Sequence, residues 1–283
     1  MTRARATGIG FTAILMWALL ALLAIGSAPV PPLQLSAICF AIASFIGLIW
    51  TARNGGFKIL KQVPLKVYAF GTIELLVFHL LYFMALREAP TAETNLIAEL
   101  WPLLVVLGSG LLPGEHIRRH HVIGGLIAFA GAGLIVFDSD PDGANTLRGF
   151  ALAIGCALSW ASYSVLSRFF KGAATEAVMI YCLAACILAT GLHFMFEETI
   201  WPVEMQGWLM MFALGLGPVG LAFFTWDIGM KKGDIQFLGV ASFVGPLLAT
   251  IILVIMGVSP LTWMLATAAI MITGGALLAA RPQ

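Results

Sequence analysis

The stretch NLIAELWPLLVVLGSGLL, Asn95 to Leu112, decides how this chain is read. It is apolar and close to the ~20 residues that cross a bilayer. Yet Glu99 lies inside it and Pro102 interrupts it. A carboxylate in hydrocarbon is costly, and a proline in a helix interior removes a backbone hydrogen bond. A helix carrying both must turn them toward protein or water, and irregular backbone at membrane depth is tolerated where it lines a cavity. Asn95 and Glu99 are four residues apart and therefore share a helix face. The stretch predicts a kinked membrane helix beside an internal cavity.

The rest of the chain agrees with a bilayer as its solvent. Of 283 residues, 60% are hydrophobic and 10% charged, with mean hydropathy +0.99. Soluble domains carry roughly a quarter charged residues. The net charge of +1 gives no basic face for nucleic acid. Cys39, Cys156, Cys182 and Cys186 all lie in apolar runs without CxxC spacing, so they read as packing residues. The N-terminal apolar stretch is too long for a signal core and reads as a retained first helix.

Charges and turn residues divide the chain into ten predicted spans, at 8–26, 33–52, 66–86, 92–112, 119–137, 148–169, 175–196, 205–229, 234–256 and 260–280. Connections are short, with no room for a separate soluble domain. With a cytoplasmic N-terminus, the inner side holds Arg3, Arg5, Arg53, Lys58, Lys61, Lys66, Arg118, Arg119, Arg168, Lys171, Lys231, Lys232 and Arg281. Only Arg87 and Arg148 fall outside, which accounts for all 15 basic residues. Positive residues mark cytoplasmic loops, so both termini are expected inside an inner (plasma) membrane.

The second half echoes the first. A shift of 144 places Pro102 on Pro246 and Gly131 on Gly275, and aligns ELWPLLVVL with FVGPLLATI. A shift of 143 places LMWA (15–18) on LSWA (158–161). Each half, 1–143 and 144–283, then holds five spans. Five is odd, so the second half is inverted. The expected fold is an all-α membrane protein of ten helices in two inverted five-helix repeats. Such repeats are a signature of secondary transporters with a midplane substrate site.

At this point the chain resembles the drug/metabolite transporter superfamily, whose repeat is the EamA domain. The resemblance rests on Pro102, on LPGEH with Glu115, and on the glycine-rich GGLIAFAGAG. MTRARATGIG with AILMW, LWP (100–102), WDIGMKKGD (226–234) and VASFVGP (240–246) are similar to the YddG-type amino-acid exporters. Ser259 stands where the repeat would place a second Glu115, so that acid cannot serve both halves alike. The resemblance implies export of amino acids, aromatic ones included, by alternating access.

Candidate cavity residues follow from polar and aromatic groups placed in mid-span. His79 is a histidine inside a span, a site candidate by default; its alternative is a bond to a backbone carbonyl. Tyr82, Trp17, Trp101, Trp160 and Tyr163 would supply aromatic walls able to hold an apolar ligand or, by cation–π contact, an ammonium. Ordinary packing is their alternative. Glu99 and Asp227 are candidates for amine or proton contact, although pairing with Lys231 one turn on is the plainer role for Asp227. Pro102 and Pro246 are candidate hinges, with simple bending for packing as the alternative.

No metal or cofactor is expected. DSDPDGANTLRG starts like a calcium loop, with Asp138, Asp140, Asp142 and Gly143, but has Gly149 at the twelfth position. His116 and His120 in EHIRRHH lack a third ligand. No P-loop, nucleophile elbow or dinucleotide fingerprint occurs. The rival to a transporter is an intramembrane enzyme acting on a lipid or small apolar substrate, with His79 and Glu74 or Glu99 as acid and base. The expected partners are a small-molecule substrate and the bilayer, with the chain working as a monomer.

Overall fold

The structure, a computed structural model, describes residues 1–54, 56–109, 119–138, 144–166 and 175–279. Among them there is no β-strand. The α-helices in chain order are α1 (Arg3–Ala18), α2 (Leu20–Gly26), α3 (Pro32–Asn54), α4 (Leu65–Glu88), α5 (Thr91–Ala98), α6 (Trp101–Ser109) and α7 (Arg119–Asp138). They continue with α8 (Ala144–Leu166), α9 (Ala177–Phe196), α10 (Met205–Leu216), α11 (Ala222–Lys232), α12 (Ile235–Ser242), α13 (Gly245–Ile255) and α14 (Trp263–Ala279). A π-helical turn, Gly217–Leu221, joins α10 to α11.

Among the described residues, seven stretches are long and apolar enough to cross a bilayer: Arg3–Gly26, Pro32–Arg53, Leu65–Glu88, Arg119–Phe137, Asn145–Leu166, Ala177–Phe196 and Met205–Met230. Gly245–Ile255 and Trp263–Ala279 are shorter apolar helices. Large apolar side chains such as Leu126, Ile187 and Ile270 are about two-thirds exposed, at 65%, 64% and 67%. Apolar surface spread this widely along long helices suits lipid rather than water. The chain is a multi-pass helical membrane protein.

Two of the expected spans are interrupted at a proline, and both of these breaks have the same cause. The span expected at 92–112 is divided into α5 and α6, and the span expected at 234–256 into α12 and α13. Pro102 and Pro246 each stand second in the helix after the break, where a missing N–H costs nothing. Before the break, the Leu100 N–H donates to Ile97 O at 3.1 Å and the Val244 N–H to Ala241 O at 3.0 Å. After it, Leu104 N bonds Leu100 O at 3.1 Å and Leu248 N bonds Val244 O at 2.9 Å. A shift of 144 carries every residue of the first set onto the second. The tightened turn is therefore written twice in the chain.

The chain folds as two compact units, residues 1–80 with 169–238, and residues 81–168 with 239–283. Each draws on both sequence halves. In the first unit, α3 packs on α9 and α1 on α11. A Cβ at Gly10 would lie 2.8 Å from the Gly229 Cα, so no larger residue fits that crossing. The Glu197 carboxylate caps α3: its oxygens accept from the Leu33 N–H at 2.9 and 3.1 Å and from the Gln34 N–H at 3.1 Å. A negative group there satisfies orphan donors and suits the helix dipole.

In the second unit α7 packs on α14, and α5 and α6 pack on α8. Gly124 and Gly275 meet backbone to backbone; a Cβ on either would sit 2.4 to 2.5 Å from the other's carbonyl oxygen. Further along α7, Gly131 approaches Ala268 and Met271, which lie earlier in α14. The two helices are therefore antiparallel. Glu115 and the turn holding Asp140, Asp142 and Gly143 lie outside the described residues, as does His116.

Candidate substrate-binding site

Within the second unit, the break between α5 and α6 gathers most of the residues singled out in the sequence. Glu99 caps the C-terminal end of α5. Its carboxylate Oε2 accepts the indole N–H of Trp101 at 3.0 Å. The Trp101 ring meets Trp160 of α8 edge-on, with centroids 6.3 Å apart and planes at 79°. Trp160 in turn lies 5.4 Å from Tyr163, one turn along the same helix. All four side chains are half-buried.

Tyr82 joins the cluster from α4. Its hydroxyl donates to Asn95 Oδ1 at 2.6 Å, and both residues are buried. With the phenol proton on Oδ1, Nδ2 is left to donate elsewhere. The two broken helices also meet inside this unit, since α13 packs on α5. Pro246 is buried in α13.

Trp17, His79 and Asp227 belong to the first unit. His79 is buried, and its Nδ1 lies 2.8 Å from Leu75 O one turn earlier. A carbonyl only accepts, so Nδ1 carries the proton, and the histidine makes the helix-internal bond weighed as its packing role. Its ring packs edge-on against Phe40 at 5.1 Å, Phe78 at 5.0 Å and Phe223 at 6.3 Å. Trp17 packs against Phe223 at 6.4 Å and Trp226 at 5.2 Å, so His79 and Trp17 share one neighbour. The Asp227 carboxylate accepts the hydroxyl proton of Thr175. The Lys231 side chain, its expected partner, lies outside the described ones.

Three features escape a reading of sequence pattern. Phe223 is one apolar residue among many until it is seen between His79 and Trp17. The Trp17 indole donates to Pro218 O at 3.2 Å, inside the π-helical turn. Single π turns often mark functional positions, and here Gly217 and Pro218 were the available signal. The third is the Asn95 amide, whose Nδ2 has no hydrogen-bond partner. Among the described residues no group of three metal-ligating side chains converges.

A membrane-spanning helical protein with paired interrupted helices and an aromatic cluster at one break has the build of a carrier for a small solute. The chain belongs to the EamA-like transporter family: the family model matches residues 6–137 and again 147–281. It is 44% identical to the aromatic amino acid exporter YddG of Ancylobacter novellus over 99% of this chain and 98% of that protein. It is 26% identical to the exporter of the same name from Escherichia coli (strain K12), over 98% and 97%. The biotin transporter of Escherichia coli (strain K12) is 25% identical over 64% of this chain. A solved crystal structure matches with a TM-score of 0.77 at 43% identity, covering 99% of this chain and 98% of that one. These relatives are transporters, so the enzyme alternative falls away.

Proposed function

We propose that this chain exports amino acids, aromatic ones among them, across the inner membrane by alternating access. The observation that carries the reading is the 44% identity, running from end to end, to an aromatic amino acid exporter. The Trp101, Trp160 and Tyr163 cluster supports it: aromatic surface with sparse polar groups is what a small apolar solute needs. In the proposed architecture, residues 1–143 and 144–283 are inverted five-helix repeats. Their breaks at Pro102 and Pro246, equivalent under a shift of 144, act as hinges. Within the first unit, His79 and Trp17 are candidate polar and aromatic contacts for substrate, and Asp227 a candidate carboxylate. Both termini are cytoplasmic. The test is uptake of labelled phenylalanine, tryptophan and alanine by proteoliposomes, with and without a proton gradient. Saturable counterflow of the aromatic amino acids is the expected result. Proteoliposomes that move none of the three would refute the reading.

A further inference from the structure

Asn95 and Glu99 present an unusual pair one helical turn apart. Asn95 is 2% exposed, and Nδ2 finds no partner although Oδ1 is held by Tyr82. A buried amide donor left unmade is costly. Glu99 has the opposite deficit. A carboxylate offers about four acceptor positions, and among the described residues only the Trp101 indole fills one. Among the described residues no cationic side chain pairs with it. An acid inside a span normally has a partner.

The backbone sharpens the contrast. Glu99 sits at the C-terminal end of α5, the negative end of that half-helix. Pro102 has no N–H to offer the Ala98 carbonyl, which adds acceptor character at the same place. One turn back, the Asn95 amide offers donors. An acceptor-rich end and an unpaired donor, one turn of ~5.4 Å apart, suit the ammonium and carboxylate of a single small zwitterion. Trp101 and Trp160 flank the acceptor end with aromatic surface.

We propose that Asn95 and Glu99 form the zwitterion-reading part of the substrate site, Asn95 Nδ2 donating to the α-carboxylate and Glu99 accepting from the α-ammonium. This rests on the amino-acid reading above and names the two groups that make it specific. Side-chain selection falls to Trp101 and Trp160. Tyr82 is a positioning residue: it holds Oδ1, so that the end of the amide left free is the Nδ2 donor.

The experiment is calorimetric binding to the full-length protein in nanodiscs, with three probes: phenylalanine, phenylalaninamide and 3-phenylpropionate. The amide lacks the carboxylate, and the propionate lacks the ammonium. Wild type is expected to bind phenylalanine at least about tenfold more tightly than either analogue. In Glu99→Gln, phenylalanine falls to the level of 3-phenylpropionate, which itself stays within about twofold of wild type. In Asn95→Asp, which keeps an oxygen for Tyr82, phenylalanine weakens about tenfold while phenylalaninamide does not. Variants that keep the wild-type selectivity overturn the assignment, as does a uniform loss for all three probes. A Glu99→Gln protein that transports more slowly with unchanged selectivity also overturns it, leaving Glu99 a proton carrier. Wild type that binds none of the probes sinks the amino-acid reading and this assignment together.

Discussion

The Trp101 indole reaches back over the break between α5 and α6 to hold the carboxylate of Glu99, two residues earlier, at 3.0 Å. One side chain thus does two things: its ring meets Trp160, and its N–H restrains an acid. The two can be separated by substitution. Trp101→Phe keeps a ring and removes the hydrogen bond; Trp101→Ala removes both. We expect Trp101→Ala to weaken aromatic substrates by about 1–3 kcal/mol, or roughly 5- to 150-fold, with Trp101→Phe nearer the lower figure. Transport KM for phenylalanine and alanine in proteoliposomes checks this. An equal loss for both substrates in both variants would reduce Trp101 to packing.

Pro102 and Pro246 interrupt equivalent helices. If the breaks bend during the transport cycle, closing one with alanine favours a single state. Pro102→Ala and Pro246→Ala should each slow net transport by about tenfold or more while folded protein stays abundant. Turnover rate and size-exclusion profile, measured together, decide it; wild-type turnover in both variants would leave the prolines as features of packing.

Gly124 and Gly275 leave no room for a methyl group. Gly124→Ala should cost about 1–3 kcal/mol through forced separation of α7 from α14, seen as a lower melting temperature in detergent. Gly133, on the same helix with nothing within 4 Å of a built Cβ, is the control, and Gly133→Ala should be silent. Equal melting temperatures for the two variants would contradict the close crossing.

The cap of α3 by Glu197 gives a fourth expectation. Glu197→Ala removes acceptors from the Leu33 and Gln34 N–H groups and from the His193 ring 3.0 Å away. A loss of about 1–2 kcal/mol in stability is expected, with little effect on substrate KM. A changed KM at unchanged stability would move Glu197 from scaffold to site.

Orientation is tested by labelling in a background without the four cysteines. Lys58→Cys and Val203→Cys should react with a membrane-impermeant reagent from opposite faces, as the bias of basic residues requires. Both reacting from one face would break the proposed arrangement of spans.

Much of this was legible in the sequence because bilayer spans are written locally. Length and hydropathy mark them, and Pro102 and Pro246 mark their breaks to within a few residues. What periodicity cannot supply is which distant side chains meet. Trp17 and Pro218 lie in separate spans, and so do Tyr82 and Asn95, so their bonds depend on tertiary packing. The Asn95–Glu99 spacing was visible, but not that the amide keeps one end unpaired. That seven of the described stretches, and not all ten expected ones, are long unbroken apolar helices also follows from local physics: two expected spans are cut by their prolines, and the described part of α14 is 17 residues long.

The crossing of α7 and α14 carries a consequence of its own. Gly124 meets Gly275, and Gly131, which maps onto Gly275 under the 144 shift, meets Ala268, which Gly124 maps onto. Exchange the two helices and the contact returns to itself. That self-complementarity is the property of an isologous interface in a two-fold dimer, here closed within one polypeptide. A substitution on one helix therefore has a counterpart at the opposite end of the same seam. Gly124 and Ala268 are counterparts across the seam, and so are Gly131 and Gly275, each of which would bring an added Cβ within 3 Å of the facing helix.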